Sequence, residues 1–341
     1  MQPKKYPSFS IVVETENLVA VDPEYLVHCL SDLAKQDISP ENANEVFLFE
    51  SGDVPPALLA RLRESYPWLR IEKLGSGDGY FEAKMAGARL ATGDLVVFYD
   101  SDCRYPSDWL YNMLTPFTEN PDLAVLTGET SLRVTGPYSL AMLLVWSFPA
   151  FSGRTRLYKT AAYNANGAVL QRKVLLACPI PERMVIYRGN GAVHNVLLKR
   201  RGYSIWCQPK GRVTHPLPAE GFMPNIWRWL LYGHDQLFTE QAAYALKFKS
   251  RLGVLWFGGA VGFLKIVSLV SWKPLRRLPR ALVEDWHRLF WLAPAIVVLW
   301  CTTLIALIGF LAALVFPKAL LKQGTEQLTQ SEAAALTGSS A

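Results

Sequence analysis

The stretch Gly79–Asp102, GYFEAKMAGARLATGDLVVFYDSD, decides the fold. It opens with a helical pattern over Gly79–Ala91 and continues, after a Thr-Gly stop, into the apolar strand Leu95–Tyr99. That strand ends in two carboxylates, Asp100 and Asp102. Because ligands of open α/β sheets bind at the carboxyl ends of the strands, the sequence predicts a ligand site at this point.

Two further apolar runs lie upstream, at Ser8–Val13 and Val46–Phe49. Helical patterns follow them at 23–35 and 56–66, so strands and helices alternate along the chain. This alternation is typical of an α/β fold with a mostly parallel sheet flanked by helices.

The acidic pair suits one chemical task. Hard divalent cations prefer carboxylate oxygens, and Mg²⁺ usually shares its coordination shell with substrate phosphates. A metal so held neutralises charge on a leaving diphosphate. From Asp100 and Asp102 alone, a solvated acidic loop is the favoured interpretation, and the metal site depends on the surrounding sequence.

Composition limits the partners. The 341 residues carry a formal charge of +6, which suits anionic ligands, anionic headgroups or nucleic acid. No basic stripe interleaved with aromatic residues occurs in the first 200 residues, so nucleic acid is not expected as a partner.

The five scattered cysteines form no CxxC pair, which predicts free thiols in a reducing compartment. The N-terminus lacks the pattern of a signal peptide, so we expect a cytosolic domain.

The C-terminal third differs in character. Residues 291–316 contain no charge and predict a transmembrane helix. Residues 253–271 contain Lys265 and several glycines, and could span the membrane or lie in its interface. The linker 272–289 has five basic against two acidic residues and so prefers the cytoplasmic side, which favours a single crossing at 291–316. The uncharged run 138–151 fits a buried core or a membrane contact equally well.

The motif context resembles the family 2 glycosyltransferases of the GT-A fold. The resemblance rests on Ala83-Lys84-Met85-Ala86-Gly87, on Ala91-Thr92-Gly93-Asp94, and on the strand that ends in Asp-Ser-Asp, and it covers about residues 8–235. It implies a nucleotide-sugar donor and Mg²⁺ or Mn²⁺ as cofactor, with metal ligands Asp100, Asp102 and His215. The nucleotide-sugar contacts that it implies are Thr15, Glu16, Glu50, Lys84, Asp100 and Arg228. The acceptor contacts that it implies are Asn166, Gly167 and Trp229.

Two of these positions carry further information. Glu50 stands where the family has an aspartate that contacts the nucleobase, and a carboxylate there accepts the imide N–H that uracil offers. Asn225–Trp229, NIWRW, resembles the family's QxxRW motif with Asn for Gln. The resemblance implies that Arg228 contacts the diphosphate and that Trp229 stacks on the acceptor. An Arg–Trp pair on an amphipathic helix at the bilayer surface is the competing interpretation.

The pattern breaks where the family carries its catalytic carboxylate. Counting back from Gly202-Tyr203 leads to Asn190-Gly191, and neither residue can take a proton. An inverting transfer needs a general base. His194 or Glu182 could supply it, or an unseen partner could. Alternatively, the enzyme retains configuration with help from the donor phosphate, or the domain binds the donor without turnover.

These observations predict a hexosyltransferase-type glycosyltransferase on the cytoplasmic side of a plasma or inner membrane. It would move a sugar, most plausibly from a UDP-sugar, to a lipid, lipid-linked or polysaccharide acceptor. The alternative is a catalytically impaired subunit that scaffolds a membrane complex, and a homo-oligomer also fits. The predicted organisation is a GT-A domain over 1–235, interfacial helices with the basic linker over 236–289, a transmembrane helix over 290–317 and a disordered tail over 318–341.

Overall fold

The computed structural model describes residues 6–16, 24–52, 54–75, 78–217, 225–246, 248 and 250–337. The strands are β1 (Phe9–Glu14), β2 (Val46–Glu50), β3 (Leu69–Lys73), β4 (Leu95–Tyr99), β5 (Val125–Leu132), β6 (Tyr158–Thr160), β7 (Gly167–Gln171) and β8 (Ile205–His215). The helices are α1 (Glu24–Ala34), α2 (Pro56–Ser65), α3 (Tyr80–Leu90), α4 (Trp109–Glu119), α5 (Pro137–Val145), α6 (Arg172–Ala177), α7 (Asn190–Arg200), α8 (Ile226–Ala245), α9 (Arg251–Val267), α10 (Trp272–Glu284), α11 (Leu292–Val315) and α12 (Pro317–Thr337).

The chain divides into two compact units that interleave in sequence. The first takes the described parts of Met1–Thr130, Phe151–Glu182 and Leu198–Pro216. The second takes those of Ser131–Ala150, Arg183–Leu197 and Leu217–Ala341. The predicted boundary at residue 235 therefore differs from the observed division, because two inner segments and all of α8 group with the C-terminal helices.

The first unit is built on an eight-stranded sheet with the order β3-β2-β1-β4-β7-β5-β8-β6. The predicted parallel arrangement is confirmed for β3-β2-β1-β4. In the other half, β7 pairs antiparallel with β4 and β5, and β6 pairs antiparallel with β8. The strand order reverses between β1 and β4, which is where parallel sheets open a crevice for ligands.

Two glycines fix how α3 and its following turn pack on β1. A Cβ on Gly87 would lie 2.6 Å from both methyl carbons of Val12, so a side chain here would push α3 off the sheet. A Cβ on Gly93 would lie 2.5 Å from the backbone carbonyl carbon of Phe9. Both glycines thus allow the close approach that sets the direction of α3 and of β4.

The second unit is a group of helices around α8. Gly233 on α8 faces the backbone of Ala306, and Gly309 on α11 faces the carbonyl of Leu230, so α8 and α11 approach to backbone contact. On its other side, α8 meets Gly258 of α9, whose added Cβ would lie 2.8 Å from Cα of Gln241. Small residues at such crossings are typical of helices packed in membranes.

One stretch of the described chain, Trp286–Val315, is long and apolar enough to cross a membrane. Helices α9 and α10 pass the same test only as a pair, bent by 41°. Large apolar side chains of this region are exposed in the isolated chain, among them Leu252, Trp256, Phe257, Trp272, Leu275, Phe290, Trp300 and Leu304. Such a continuous apolar surface marks an interaction site rather than a solvated face.

Two expectations about the second unit are resolved. The uncharged run 138–151 contains α5, whose residues from Tyr138 to Val145 are all buried, which supports the core interpretation. The disordered tail predicted for 318–341 is wrong for the described part, because α12 forms a helix over Pro317–Thr337. Leu328 is buried, and Gly324 lies against the side chain of Leu231 on α8, so packing against α8 holds this helix in place.

Candidate active site

Three strand ends carry polar groups at one edge of the sheet in the first unit. Glu14 ends β1, Glu50 ends β2 and Asp100 follows β4 directly. Since these strands are parallel neighbours, their carboxyl ends lie side by side. The edge predicted from the sequence is therefore where the structure brings three buried carboxylates together.

Asp100 is held in a buried ion pair. Lys84 Nζ lies 2.5 Å from Asp100 Oδ1, and both side chains are almost fully buried. Tyr80, one turn before Lys84 on α3, donates its hydroxyl to Asp100 Oδ2 at 2.8 Å, and its ring lies 4.4 Å from Lys84 Nζ. Each oxygen of Asp100 thus already accepts one hydrogen bond from α3. Tyr80 was not predicted, and its only sequence signal is its i, i+4 spacing from Lys84.

Asp102 meets His215 across the sheet. Arg104, just after the acidic pair, exchanges backbone hydrogen bonds with Thr214 near the end of β8, at 2.9 and 3.1 Å. This bridge brings the next residue, His215, to Asp102, with 3.3 Å between His215 Nε2 and Asp102 Oδ2. The structure therefore places two of the three predicted metal ligands side by side.

The tautomer of His215 indicates what lies between these atoms. His215 Nδ1 is within hydrogen-bond distance of the carbonyl oxygen of Pro216, which can only accept, so this contact matches the tautomer with the proton on Nδ1. In the neutral imidazole, Nε2 is then an acceptor, and it faces the carboxylate oxygen of Asp102. Two acceptors at 3.3 Å need a cation or a proton between them.

A divalent cation fits this pair. Ligand atoms of Asp102, Cys103 and His215 all lie within 4.8 Å of one another, and the three residues are buried. Metal–ligand distances of about 2.1 Å place adjacent octahedral ligands about 3 Å apart, close to the observed Asp102–His215 separation. One carboxylate and one imidazole suit Mg²⁺ or Mn²⁺ and leave coordination positions for phosphate oxygens and water.

A second group of polar residues lies at the ends of β1 and β2. Thr15 N donates to the carbonyl of Phe49 at 3.0 Å, and Thr15 Oγ1 accepts the backbone N–H of Ser51 at 3.2 Å. Glu50 Oε1 accepts the N–H of Gly52 at 2.5 Å, and Gly52 adopts a positive φ of 104° that favours glycine. The turn fixes Glu50 while its second oxygen keeps lone pairs for an N–H donor.

Glu14 is a further buried carboxyl that the sequence reasoning missed. It is fully buried at the end of β1, near Asp100. Burial, reinforced by the charge of Asp100 and opposed by that of Lys84, raises the pKa of Glu14 well above its usual value. A glutamate ending a strand directly before Thr15 was the available signal.

The comparisons with known proteins agree with this geometry. Residues 10–178, about half of the chain, match the sequence profile described as Glycosyl transferase family 2. The chain belongs to glycosyl transferase family 2. A mannosyltransferase from Pyrobaculum calidifontis, solved with GDP-Man and Mn²⁺, has the same fold, with a TM-score of 0.53 and 17% identity over 97% of this chain and 87% of that one. GalNAc-T7, solved with UDP, GalNAc and Mn²⁺, gives a TM-score of 0.52 and 12% identity over 70% of this chain and 52% of that one.

This family 2 glycosyltransferase thus has the GT-A fold. A curated relative is the beta-monoglucosyldiacylglycerol synthase of Synechocystis sp., which is 29% identical over 125 residues, or 36% of this chain. The chain matches only 25% of the length of that relative.

The remaining predicted residues of this family 2 glycosyltransferase lie as follows. Glu182 forms an ion pair with Arg89, so one of the two candidate bases is already paired. His194, the other, is fully buried on α7 of the second unit. Glu16 is half-buried just after β1. Their proposed roles remain predictions.

Asn190, where the expected carboxylate is missing, and the predicted residues Arg228 and Trp229 also belong to the second unit. Asn190 begins α7 and is buried. Arg228 is half-buried in the first turn of α8. Trp229 is buried in the apolar core of this unit, where its indole Nε1 donates to Tyr138 Oη at 3.3 Å. This position corresponds to a packed tryptophan rather than an open stacking surface, and the motif-based role of both α8 residues remains a prediction.

Asn166 and Gly167 lie beside the acidic pair. Asn166 is buried, and its side chain accepts a hydrogen bond from Thr130 at 3.0 Å. Its backbone carbonyl accepts the hydroxyl of Tyr105 at 2.6 Å. Gly167 starts β7, where an added Cβ would lie 2.9 Å from a methyl carbon of Val213. This turn therefore packs directly against the strand that carries His215.

Proposed function

We propose that the chain transfers a sugar from a nucleotide-sugar, a UDP-sugar in the first instance, to a lipid or lipid-linked acceptor at a membrane. The observation that carries the proposal is the Asp102–His215 pair, 3.3 Å apart, beside the buried Lys84–Asp100 ion pair at the switch point of a parallel sheet. A divalent metal held there would neutralise the charge that develops on the leaving diphosphate.

Two groups of residues in the first unit would bind the two parts of the donor, the diphosphate and the base. Glu50, held by the Gly52 turn, accepts an imide N–H of the base, and Thr15 lies beside it. Both uracil and guanine offer such an N–H, so the carboxylate alone does not choose between UDP and GDP. The GDP-Man of the Pyrobaculum calidifontis mannosyltransferase and the UDP of GalNAc-T7 make both donors worth testing.

The membrane part of the proposal rests on the second unit. It combines the apolar stretch Trp286–Val315 with α10, on which exposed Trp272 and Leu275 lie next to exposed Arg276. An apolar face with a basic flank suits the headgroup boundary of an anionic leaflet. The Synechocystis relative is by name a glycolipid synthase, which supports a lipid acceptor. The basic linker 272–289 favours the cytoplasmic side, so the proposal places the GT-A unit there, at an inner or plasma membrane.

The proposed transfer also needs a general base to accept the proton of the acceptor hydroxyl. The segment that leads to Asn190 is fixed by Asp235, whose carboxylate accepts the backbone N–H groups of Tyr187 at 2.9 Å and Arg188 at 2.7 Å. This carboxylate therefore anchors the segment through two strong hydrogen bonds. His194 and Glu182 are the proposed candidate bases, and Glu182 forms an ion pair with Arg89.

Ligand-dependent thermal unfolding of the full-length protein tests donor and metal binding together. A ligand at about 100 times its Kd stabilises the native state by about 2.7 kcal/mol, so UDP with Mn²⁺ is expected to raise the Tm of the wild type measurably. Asp102→Ala and His215→Ala are expected to lose the Mn²⁺-dependent part of the shift. Asp122→Ala, which removes an exposed carboxylate elsewhere on the same unit, is the matched control and keeps it.

Two results would contradict the proposal. If neither UDP nor GDP gives a metal-dependent shift, the site does not bind a nucleotide diphosphate. If nucleotides bind but radiolabelled sugar is never transferred to a lipid extract, the scaffold alternative replaces the enzyme. A GDP-specific shift would keep the proposed reaction and change the donor class.

A further inference from the structure

Cys103 lies directly behind the proposed metal ligand Asp102. Its Sγ donates to Asp102 Oδ1 at 3.3 Å, on the side of the carboxylate opposite to the oxygen that faces His215. The thiol is fully buried in the apolar core of the first unit.

The thiol in turn accepts a hydrogen bond from the turn that precedes β7. Asn166 Nδ2 donates to Cys103 Sγ at 3.8 Å. Thr130 Oγ1 donates to Asn166 Oδ1 at 3.0 Å, and this contact sets which way the Asn166 amide faces. The result is a directional chain of hydrogen bonds that runs from Thr130 through Asn166 and Cys103 to Asp102.

A second arm joins the same asparagine to the other aspartate. The carbonyl of Asn166 accepts the hydroxyl of Tyr105 at 2.6 Å. That hydroxyl in turn accepts the backbone N–H of Asp100 at 2.7 Å. Both members of the acidic pair are thus positioned from one buried residue, although Asn166 lies 64 and 66 positions further along the chain.

We infer that Cys103 and Asn166 are positioning residues that orient the Asp102 carboxylate for metal binding; this inference rests on the metal site of the proposed function. The terminal torsion of an aspartate is broad, so an unsupported carboxylate turns easily about its Cβ–Cγ bond. The S–H donor on Oδ1 holds the plane in which Oδ2 faces His215 Nε2. Partners behind a metal ligand typically contribute about 10–100-fold to metal affinity.

The thiol acts as a donor rather than as a ligand. Its Sγ donates to Asp102 Oδ1, and Mg²⁺ and Mn²⁺ prefer oxygen and nitrogen ligands to sulfur. Serine retains a hydroxyl donor at the same position, whereas alanine removes it with little change of volume. The two substitutions therefore separate the hydrogen bond from the packing of the side chain.

The test is the Mn²⁺ affinity of the full-length protein, measured by the signal of free Mn²⁺ in electron paramagnetic resonance. Cys103→Ala is expected to bind Mn²⁺ about tenfold more weakly, and Cys103→Ser close to wild type. Cys178→Ala, which removes another buried thiol of the same unit, is the packing control and leaves the affinity unchanged. If Cys103→Ala does not fold, Thr130→Val carries the test, because it frees the Asn166 amide, and a weaker affinity is expected.

The outcomes separate this inference from the proposed function. Equal Mn²⁺ affinities for wild type and Cys103→Ala, or for Thr130→Val in its place, would overturn the positioning role and leave the metal site intact. A wild type that binds no Mn²⁺ would overturn the metal site, and the positioning role with it. Substituting Co²⁺ is expected to give no sulfur-to-metal charge-transfer band, and a band that disappears in Cys103→Ser would show that the thiolate is a ligand instead.

Discussion

Replacing Lys84 by methionine tests the ion pair at the centre of the site. Methionine keeps most of the apolar stem but removes the ammonium group that pairs with the buried carboxylate of Asp100. Breaking one side of a buried ion pair costs about 3–5 kcal/mol, because the remaining charge is uncompensated. At about 2–4 °C per kcal/mol for a unit of this size, the Tm should fall by roughly 6–20 °C.

The assay is thermal unfolding in detergent without metal or nucleotide, followed by near-ultraviolet circular dichroism. The control is Lys73→Met, which removes an exposed lysine from β3 and should change stability by no more than about 0.5 kcal/mol. The double variant Lys84→Met/Asp100→Asn removes both charges and is expected to recover much of the loss.

Two results would refute this reasoning. If Lys84→Met melts within a degree or two of Lys73→Met, the pair contributes little and is not desolvated as described. If the double variant is as unstable as the sum of the single variants, the two groups do not interact, since coupled neighbours give a non-additive cycle.

Three further outcomes follow from the described contacts. Gly309→Ala places a Cβ against the carbonyl of Leu230 and should lower the free energy of unfolding by about 1–3 kcal/mol in thermal unfolding. The control is Gly253→Ala, whose added Cβ would lie 3.6 Å from the nearest side-chain atom, and it should be neutral. Equal effects of the two substitutions would contradict the close α8–α11 crossing. Glu14 has a raised folded pKa, so its contribution to stability is present below its unfolded pKa of about 4.3 and is lost as pH rises through the folded value. In metal-free buffer, Glu14→Gln should therefore gain stability relative to wild type as pH increases, and parallel stability curves would count against it. Arg276→Glu should lower sugar transfer in anionic proteoliposomes by roughly tenfold, with little change in zwitterionic ones; an equal loss in both would show a structural role for this exposed residue.

The parts of the fold that the sequence predicted are those in which local pattern and tertiary burial agree. Strands β1, β2 and β4 are fully buried apolar runs, and all three were predicted. Strand β3 was missed because three of the five residues of its sequence LRIEK are charged and it lies at the edge of the sheet, where only Leu69 of the strand is buried. Helix α12 was missed because its overall polarity outweighed the few positions that pack on α8.

The same distinction between local sequence pattern and tertiary contact applies to the residues of the candidate site. The motif placed Asp100, Asp102 and Lys84 near one another because they lie within a single helix–strand unit. The family resemblance suggested His215, but only the Arg104–Thr214 bridge shows how it reaches Asp102. Contacts through Cys103 and Asn166 depend on side-chain direction between distant segments, and no periodicity in the sequence encodes them.

The interleaving of the two units has a consequence for synthesis of the chain. Helix α5 packs against α10 and α11, which begin roughly 130 residues later. At roughly 5–20 residues per second, its apolar surface stays without these partners for on the order of ten seconds on the ribosome. A chain cut after residue 216 would never supply them, so shortening the protein to its sheet-bearing part should yield an aggregating product rather than a soluble enzyme.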